Sequence, residues 1–325
     1  MRRRPRWPQG GAALLSAMIT VALIATLAAA ALWQQWRGVE VEAAERARLQ
    51  SSWLLNGALD WGRLILRIDD NFGVDHLAEP WAVPLEEARL STFLAANEAN
   101  TETDRDAFLS GSIQDLQGRL NVANLLHAGR GKEAILGDYA RFERLFALLD
   151  VPRSELRALS DGINAAAQAE RAGTAEPAPL MPQQLPQLVW LGLSPASVAA
   201  LTPYITLLPE RTPVNLNTAS AQVMHAAVPG LSLAQAQQMV AARAQQFFRN
   251  VPAALQASGD TQDLAQQCVD WCSVNSRYFE LRARLRLDDL ALEEIAWVRR
   301  RQRGQPVDVL WRQRVPLTLA DAAPR

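Results

Sequence analysis

From Trp7 to Trp36 the chain carries no charged side chain, and this interval constrains the fold more than any other feature. Within it, Ala12 to Leu32 is almost wholly apolar (AALLSAMITVALIATLAAAAL). About 20 apolar residues in a helix cross the hydrocarbon core of a bilayer. Trp33 and Trp36 follow at the depth of an interfacial aromatic belt. Arg2, Arg3, Arg4 and Arg6 precede the span, which places the N-terminus in the cytoplasm and everything after Arg37 in the periplasm. Lys132 is the only Lys, and Arg carries the basic role, a composition that resembles a GC-rich bacterial genome. The expected location is therefore a bacterial inner membrane, crossed once.

Three readings of this segment compete. A cleaved secretory signal would use the Ala28–Ala31 run as its cut. The apolar stretch is long for that role, and the helical pattern continues through Val39, Val41, Ala47, Leu54, Ala58 and Leu64 with no Pro between Pro8 and Pro80. A plain uncleaved anchor is the second reading. The third is a prepilin-type leader over residues 1–11, cut on the cytoplasmic side: Gln9-Gly10-Gly11-Ala12-Ala13-Leu14-Leu15 joins a short basic leader and a small flexible residue to an unbroken apolar helix. Helices of that type carry Glu at the fifth mature position. If the cut follows Gly11, that position is Ser16. A buried charge needs a partner, so a subunit lacking this acid suits a terminal place in an assembly. The helix is expected to span the membrane over 12–33, to continue to about Ile68, and to stop at Asp69-Asp70-Asn71-Phe72-Gly73. At ~1.5 Å per residue it would be about 80 Å long.

Downstream, Ser110–Val122 reads as a strand, a Gln117-Gly118 turn and a second strand. Residues 132–170 read as two helices broken at Pro152, followed by a Pro/Gln-rich loop, Thr174 to Gln187, that is extended and exposed. Val214-Asn215-Leu216-Asn217-Thr218-Ala219-Ser220 opens another helix with Thr218 or Ser220 as N-cap. Pro229-Gly230-Leu231-Ser232 breaks it before a second helix, which gives a helix-hairpin-helix outline. Tyr278–Leu287 alternates strictly, with Phe279, Leu281, Ala283, Leu285 and Leu287 on one face, as an antiparallel strand with one wet side does. Leu290–Arg300 and Val307–Val315 supply two more strands, and Arg299–Arg303 reads as a solvated basic turn.

Four elements in this order and spacing resemble one family: the Gly-Ala-Ala-Leu-Leu junction without the fifth-position Glu, Ile113–Asn121, Asn215–Ala219 with Pro229-Gly230-Leu231, and Ser276-Arg277-Tyr278-Phe279 before the alternating strand. Together they resemble the K-type minor pseudopilins of type II secretion over nearly the whole chain. The resemblance implies an α+β, type IV pilin-like fold with a long transmembrane N-terminal helix, an antiparallel sheet and a large inserted α-helical domain. On this chain the parts fall at 34–125 (first pilin-like part), 126–272 (insert with the helix-hairpin-helix-like segment) and 273–325 (C-terminal β part). It further implies a place at the tip of the periplasmic pseudopilus with the I- and J-type minor pseudopilins, a role in starting pseudopilus assembly, contact with the major pseudopilin, and a proposed encounter with secreted cargo. A prepilin peptidase would cut between Gly11 and Ala12 and methylate the new N-terminus at Ala12; Gly10 leaves a shift of one residue open. The rival reading is a periplasmic binding protein or hydrolase on a plain anchor.

Little supports chemistry. The chain shows no Ser/His/Asp order, no phosphate-binding Gly-rich loop and no metal-ligand spacing; His76, His127 and His225 are scattered, and Asp263 and Asp270 read as solvated surface. Family members bind calcium in the inserted domain. The matching residues here, Asp161, Asn164, Glu170 and Glu176, are few for an ion that takes six to eight oxygens, so no cofactor is expected. The helix-hairpin-helix also resembles DNA-binding hairpins, but Ser232 replaces the second turn Gly and only Arg243 and Arg249 are basic between Val214 and Val251; a packing module is expected, with no nucleic-acid partner. Cys268 and Cys272 lie in an oxidising compartment on this topology, which favours a disulfide, with free buried thiols as the alternative.

Overall fold

The computed structural model describes residues 10–69, 73–89, 107–173, 179–259, 268, 270–287, 290–302 and 304–317. Two compact units divide the chain, Met1–Asn56 and Gly57–Arg325. Helix α1 runs Gly10–Ile68. Its residues from Ala13 form the membrane candidate, and the apolar side chains of the span are exposed in the isolated chain. The helix ends at the expected residue; of the expected stop signal, 70–72 lie outside the described residues.

In the second unit a five-stranded antiparallel sheet has the order β1-β2-β7-β8-β9, with β1 Leu85–Arg89, β2 Ala107–Asp115, β7 Tyr278–Leu287, β8 Leu290–Arg299 and β9 Asp308–Leu317. The alternation of β7 turns Leu281, Ala283, Leu285 and Leu287 into the core. Gly62 of α1 sits where an added Cβ would lie 2.2 Å from Leu281 Cδ2, so this glycine lets helix and sheet approach closely. The other face of β7 is the wet one. Arg282 and Arg284 both pair with Glu293, and Arg286 pairs with Glu87, as cross-strand ion pairs. Trp61, on the same helix, is 48% exposed.

The strand–turn–strand expected at Ser110–Val122 does not form a hairpin. β2 ends at Asp115, a short 3-10 turn covers Leu116–Gly118, and β3 is only Leu120–Asn121. β3 pairs in parallel with β4, Ile205–Thr206, rather than folding back on β2. The reason lies in Asp115 and Asn121. Their carboxylate and amide oxygens accept from the Gln117 and Ala123 amides, which turns the chain away twice.

Helices α2 (Lys132–Leu148) and α3 (Arg153–Ala172) break at Pro152, and Gly173 closes α3 in the left-handed region at φ +60°. α4 is Pro195–Leu201. The Pro/Gln loop is shorter than expected: Pro182 is buried and a 3-10 segment begins at Leu185, while 174–178 lie outside the described residues. α5 (Ala221–Ala227) takes Ser220 as N-cap. α6 (Leu233–Gln245) opens on a Ser232–Gln235 capping box, and α7 is Val251–Gln256. Two-residue strands β5 (Val214–Asn215) and β6 (Cys272–Ser273) pair in parallel beside this helical hairpin. One apolar core, from Leu120 through Phe142, Leu159, Met224 and Met239 to Cys272, unites α2 to α7.

A buried polar junction as candidate functional site

The motifs that stand apart in sequence meet in one buried polar junction. Asp115, at the end of β2, is its hub. Its Oδ2 accepts from Asn215 Nδ2 at 3.0 Å, Thr218 Oγ1 at 2.6 Å and Ser276 Oγ at 2.6 Å, and its Oδ1 accepts from the Gln117 amide at 2.7 Å. Asn215 Nδ2 also donates to the Asp75 carbonyl and its Oδ1 accepts from the Asn217 amide. Gln117 Oε1 accepts from the Arg277 amide, and its Nε2 donates to the Pro213 carbonyl. The Gln117-Gly118 pair, Asn215–Thr218 and Ser276-Arg277 are therefore three parts of one device. Gly118 belongs to it for steric reasons: an added Cβ would stand 2.9 Å from Thr218 Oγ1 and 3.2 Å from the Thr218 backbone.

Arg300 supplies the charge. Read from sequence as part of a solvated turn, it is instead 2% exposed. Its Nη1 donates to Asp69 Oδ2 at 2.8 Å, and its Nη2 donates to Asp75 Oδ1 at 2.5 Å and to the Ser276 carbonyl at 2.9 Å. The Ser276 amide closes the ring on Asp75 Oδ2 at 2.7 Å. Of its neighbours, Arg299 and Arg301 share Asp308 outside, while Arg303 lies outside the described residues. Composition could not separate the buried arginine from its solvated neighbours; the signal is positional. The residue after the last β8 position points back beneath the sheet end, where its amide donates to the Arg277 carbonyl.

Burial pushes the Asp75 carboxyl up to about 7 against the opposing pull of Arg300. Burial likewise raises Asp115 and Glu79. The folded chain then holds protons at pH values where the unfolded chain has released them. In chelator-containing buffer, the melting temperature should fall as pH rises from about 4 to about 7, with Asp75→Asn flattening the profile. A melting temperature that rises across this window would contradict the assignment.

The remaining expected residues fall elsewhere. Gly10 and Gly11 lie in the first turn of α1, and Ser16 Oγ donates to the Ala13 carbonyl at 2.9 Å. Residues 1–9 and the side chain of Ala12 lie outside the description. Cys268 and Cys272 are joined as a disulfide, with Cα atoms 5.4 Å apart. The described acids of the calcium expectation do not converge. Asn164 uses its amide on Leu125, Ser160 and His127 backbone groups, Asp161 and Glu170 are exposed, and Glu176 lies outside the described residues. Among the described residues, Asp161, Asn164 and Glu170 do not form a calcium shell. In the helical hairpin, Arg243 Nη1 donates to the Leu216 and Ala219 carbonyls, so this guanidinium staples the hairpin's own backbone. Asn217 does the same work from the other side, pairing with both the amide and the carbonyl of Phe248.

Comparison with known proteins agrees with this arrangement. Residues 214–267, which begin at the Asn215 motif and contain the helical hairpin, match the family model of type II secretion system (T2SS), protein K. Type II secretion system protein K of Pseudomonas aeruginosa is 27% identical over 268 residues, covering 74% of each chain. A chain of the crystal structure of the GspK-GspI-GspJ complex from the enterotoxigenic Escherichia coli type 2 secretion system shares the fold at a TM-score of 0.63 and 19% identity, over 84% of this chain and 98% of that one. The chain is thus similar to type II secretion system protein K over about three-quarters of its length, and it shares the fold of the GspK-containing complex chain.

Proposed function

We propose that the chain is the minor pseudopilin at the tip of a type II secretion pseudopilus, where it joins I- and J-type minor pseudopilins and helps to start assembly. The observation that carries this reading is the likeness to a type II secretion system protein K across about three-quarters of both chains. The solved relative is itself in a complex of GspK with GspI and GspJ. Two features of this chain support the tip position. The apolar helix has no acid at Ser16, and the Ser16 hydroxyl is satisfied by its own helix, so it offers no carboxylate to the terminal amine of an adjoining subunit. The helical hairpin is held together by Arg243 and Asn217, as a packing element is. In this reading a prepilin peptidase cuts between Gly11 and Ala12 and methylates Ala12. The chain then sits in the inner membrane with its bulk in the periplasm and works on secreted cargo through the assembly. Residues 126–272 act as the inserted domain. Co-expression of the full chain with its I- and J-type partners in detergent tests the reading. A stable three-component complex on size exclusion is expected, and absence of association with both partners would sink it.

A further inference from the structure

We propose that Asp69, Asp75 and Glu79 bind a hard divalent cation just beyond the end of α1. One carboxylate oxygen from each lies within 4.8 Å of the other two. Two oxygens held at roughly 2.4 Å from one ion can be no farther apart than about 4.8 Å, so the three can share it. All three side chains are withdrawn from solvent, at 8%, 0% and 2% exposure. Arg300 bonds Asp69 and Asp75 at the edge of this group. Buried charges are paired or coordinate metals.

A second observation points to the same place. Glu79 Oε2 accepts from the His76 amide at 3.1 Å and from Trp81 Nε1 at 2.5 Å, yet its buried Oε1 has no partner. The side chain of His76 is more than nine-tenths buried, and its Nε2 also has no partner. It lies 4.0 Å from Glu79 Oε1, too far for a hydrogen bond. The imidazole is held in place by the Phe247 ring, stacked at 3.9 Å, and by the Ala78 amide on Nδ1. An orphan nitrogen thus faces an orphan carboxylate oxygen at the edge of the acidic triad. Oxygen-rich ligation selects ions of the Mg²⁺, Ca²⁺ and Mn²⁺ class, with water completing the shell. Bound there, the ion ties the residue that follows α1 to the loop carrying Asp75 and Glu79.

The test uses the full chain in detergent after chelator treatment. Mn²⁺ binding is followed by electron paramagnetic resonance. Melting is followed by Trp fluorescence with Mn²⁺, Ca²⁺ or Mg²⁺ added. The wild type should bind a single Mn²⁺ and melt about 5 °C higher at saturating ion. Glu79→Gln keeps an acceptor for Trp81, and it and Asp69→Asn should lose both effects while remaining folded by circular dichroism. Asp161→Asn, on the exposed face of α3, should keep both. Absence of binding by the wild type at about 1 mM ion would overturn the proposal, whatever the variants do. Undiminished binding by Glu79→Gln and Asp69→Asn would overturn it too.

Discussion

Replacing Arg300 with Met is expected to destabilise the folded chain by about 3–5 kcal/mol, the range seen when one partner of a buried ion pair is removed. The change leaves Asp69 and Asp75 without the guanidinium that bonds both, and it strips the Ser276 carbonyl of a donor. The Arg300 guanidinium carbon also lies over the Phe279 ring, 5.1 Å from its centroid, a cation–π contact that Met does not make. The loss is therefore electrostatic in origin. Urea unfolding of the full chain in detergent reads it directly. Arg301→Met is the control, because that side chain is 55% exposed and pairs with Asp308 at the surface, where an ion pair contributes about 0–1 kcal/mol. Equal effects at 300 and 301 would refute the junction. Asp75→Asn combined with Arg300→Met should cost less than the sum of the two single changes, since the two side chains are bonded partners and each single change already removes their shared contact.

Asp115→Ala should be as damaging, at about 4 kcal/mol or more, because each buried donor left unsatisfied costs roughly 1–3 kcal/mol. Four donors lose this acceptor together, the Thr218 and Ser276 hydroxyls, the Gln117 backbone N–H and the Asn215 amide, of which Asn215 keeps the Asp75 carbonyl. Asp115→Asn retains one oxygen and should recover part of the loss. The damage should extend beyond the pilin-like sheet. Asn215 and Thr218 stand at the entrance to the helical hairpin, so protease cutting within 214–259 should rise in Asp115→Ala. An effect confined to the sheet would show that the hairpin is held independently of Asp115.

Periodicity carried much of the fold. The apolar interval announces α1 and its end at Ile68, Pro152 divides α2 from α3, and the alternation of Tyr278–Leu287 gives the buried face of β7. These features are local, and a single strand or helix suffices to express them. What escaped was set by distant partners. Asp115 and Gln117 look like residues of a hairpin turn, but their acceptors and donors lie about a hundred or more positions downstream, at Asn215, Thr218, Ser276 and Arg277. That is why β3 turns away to β4 instead of returning on β2. Arg300 was hidden by company: in a run of arginines, only the fold can say which guanidinium is drawn inward. The three downstream motifs were visible as motifs, and their convergence on one carboxylate was not.

The proposed pseudopilin role gives the N-terminus a definite fate. Co-expression with a prepilin peptidase, followed by N-terminal sequencing and intact mass, tests it most directly. The mature chain should begin at Ala12, carry one added methyl group on its terminal amine, and fail to appear when Gly11 is replaced by Ala. A chain that keeps Met1 and its arginine-rich leader after such co-expression would contradict the account, and would leave α1 as a plain membrane anchor.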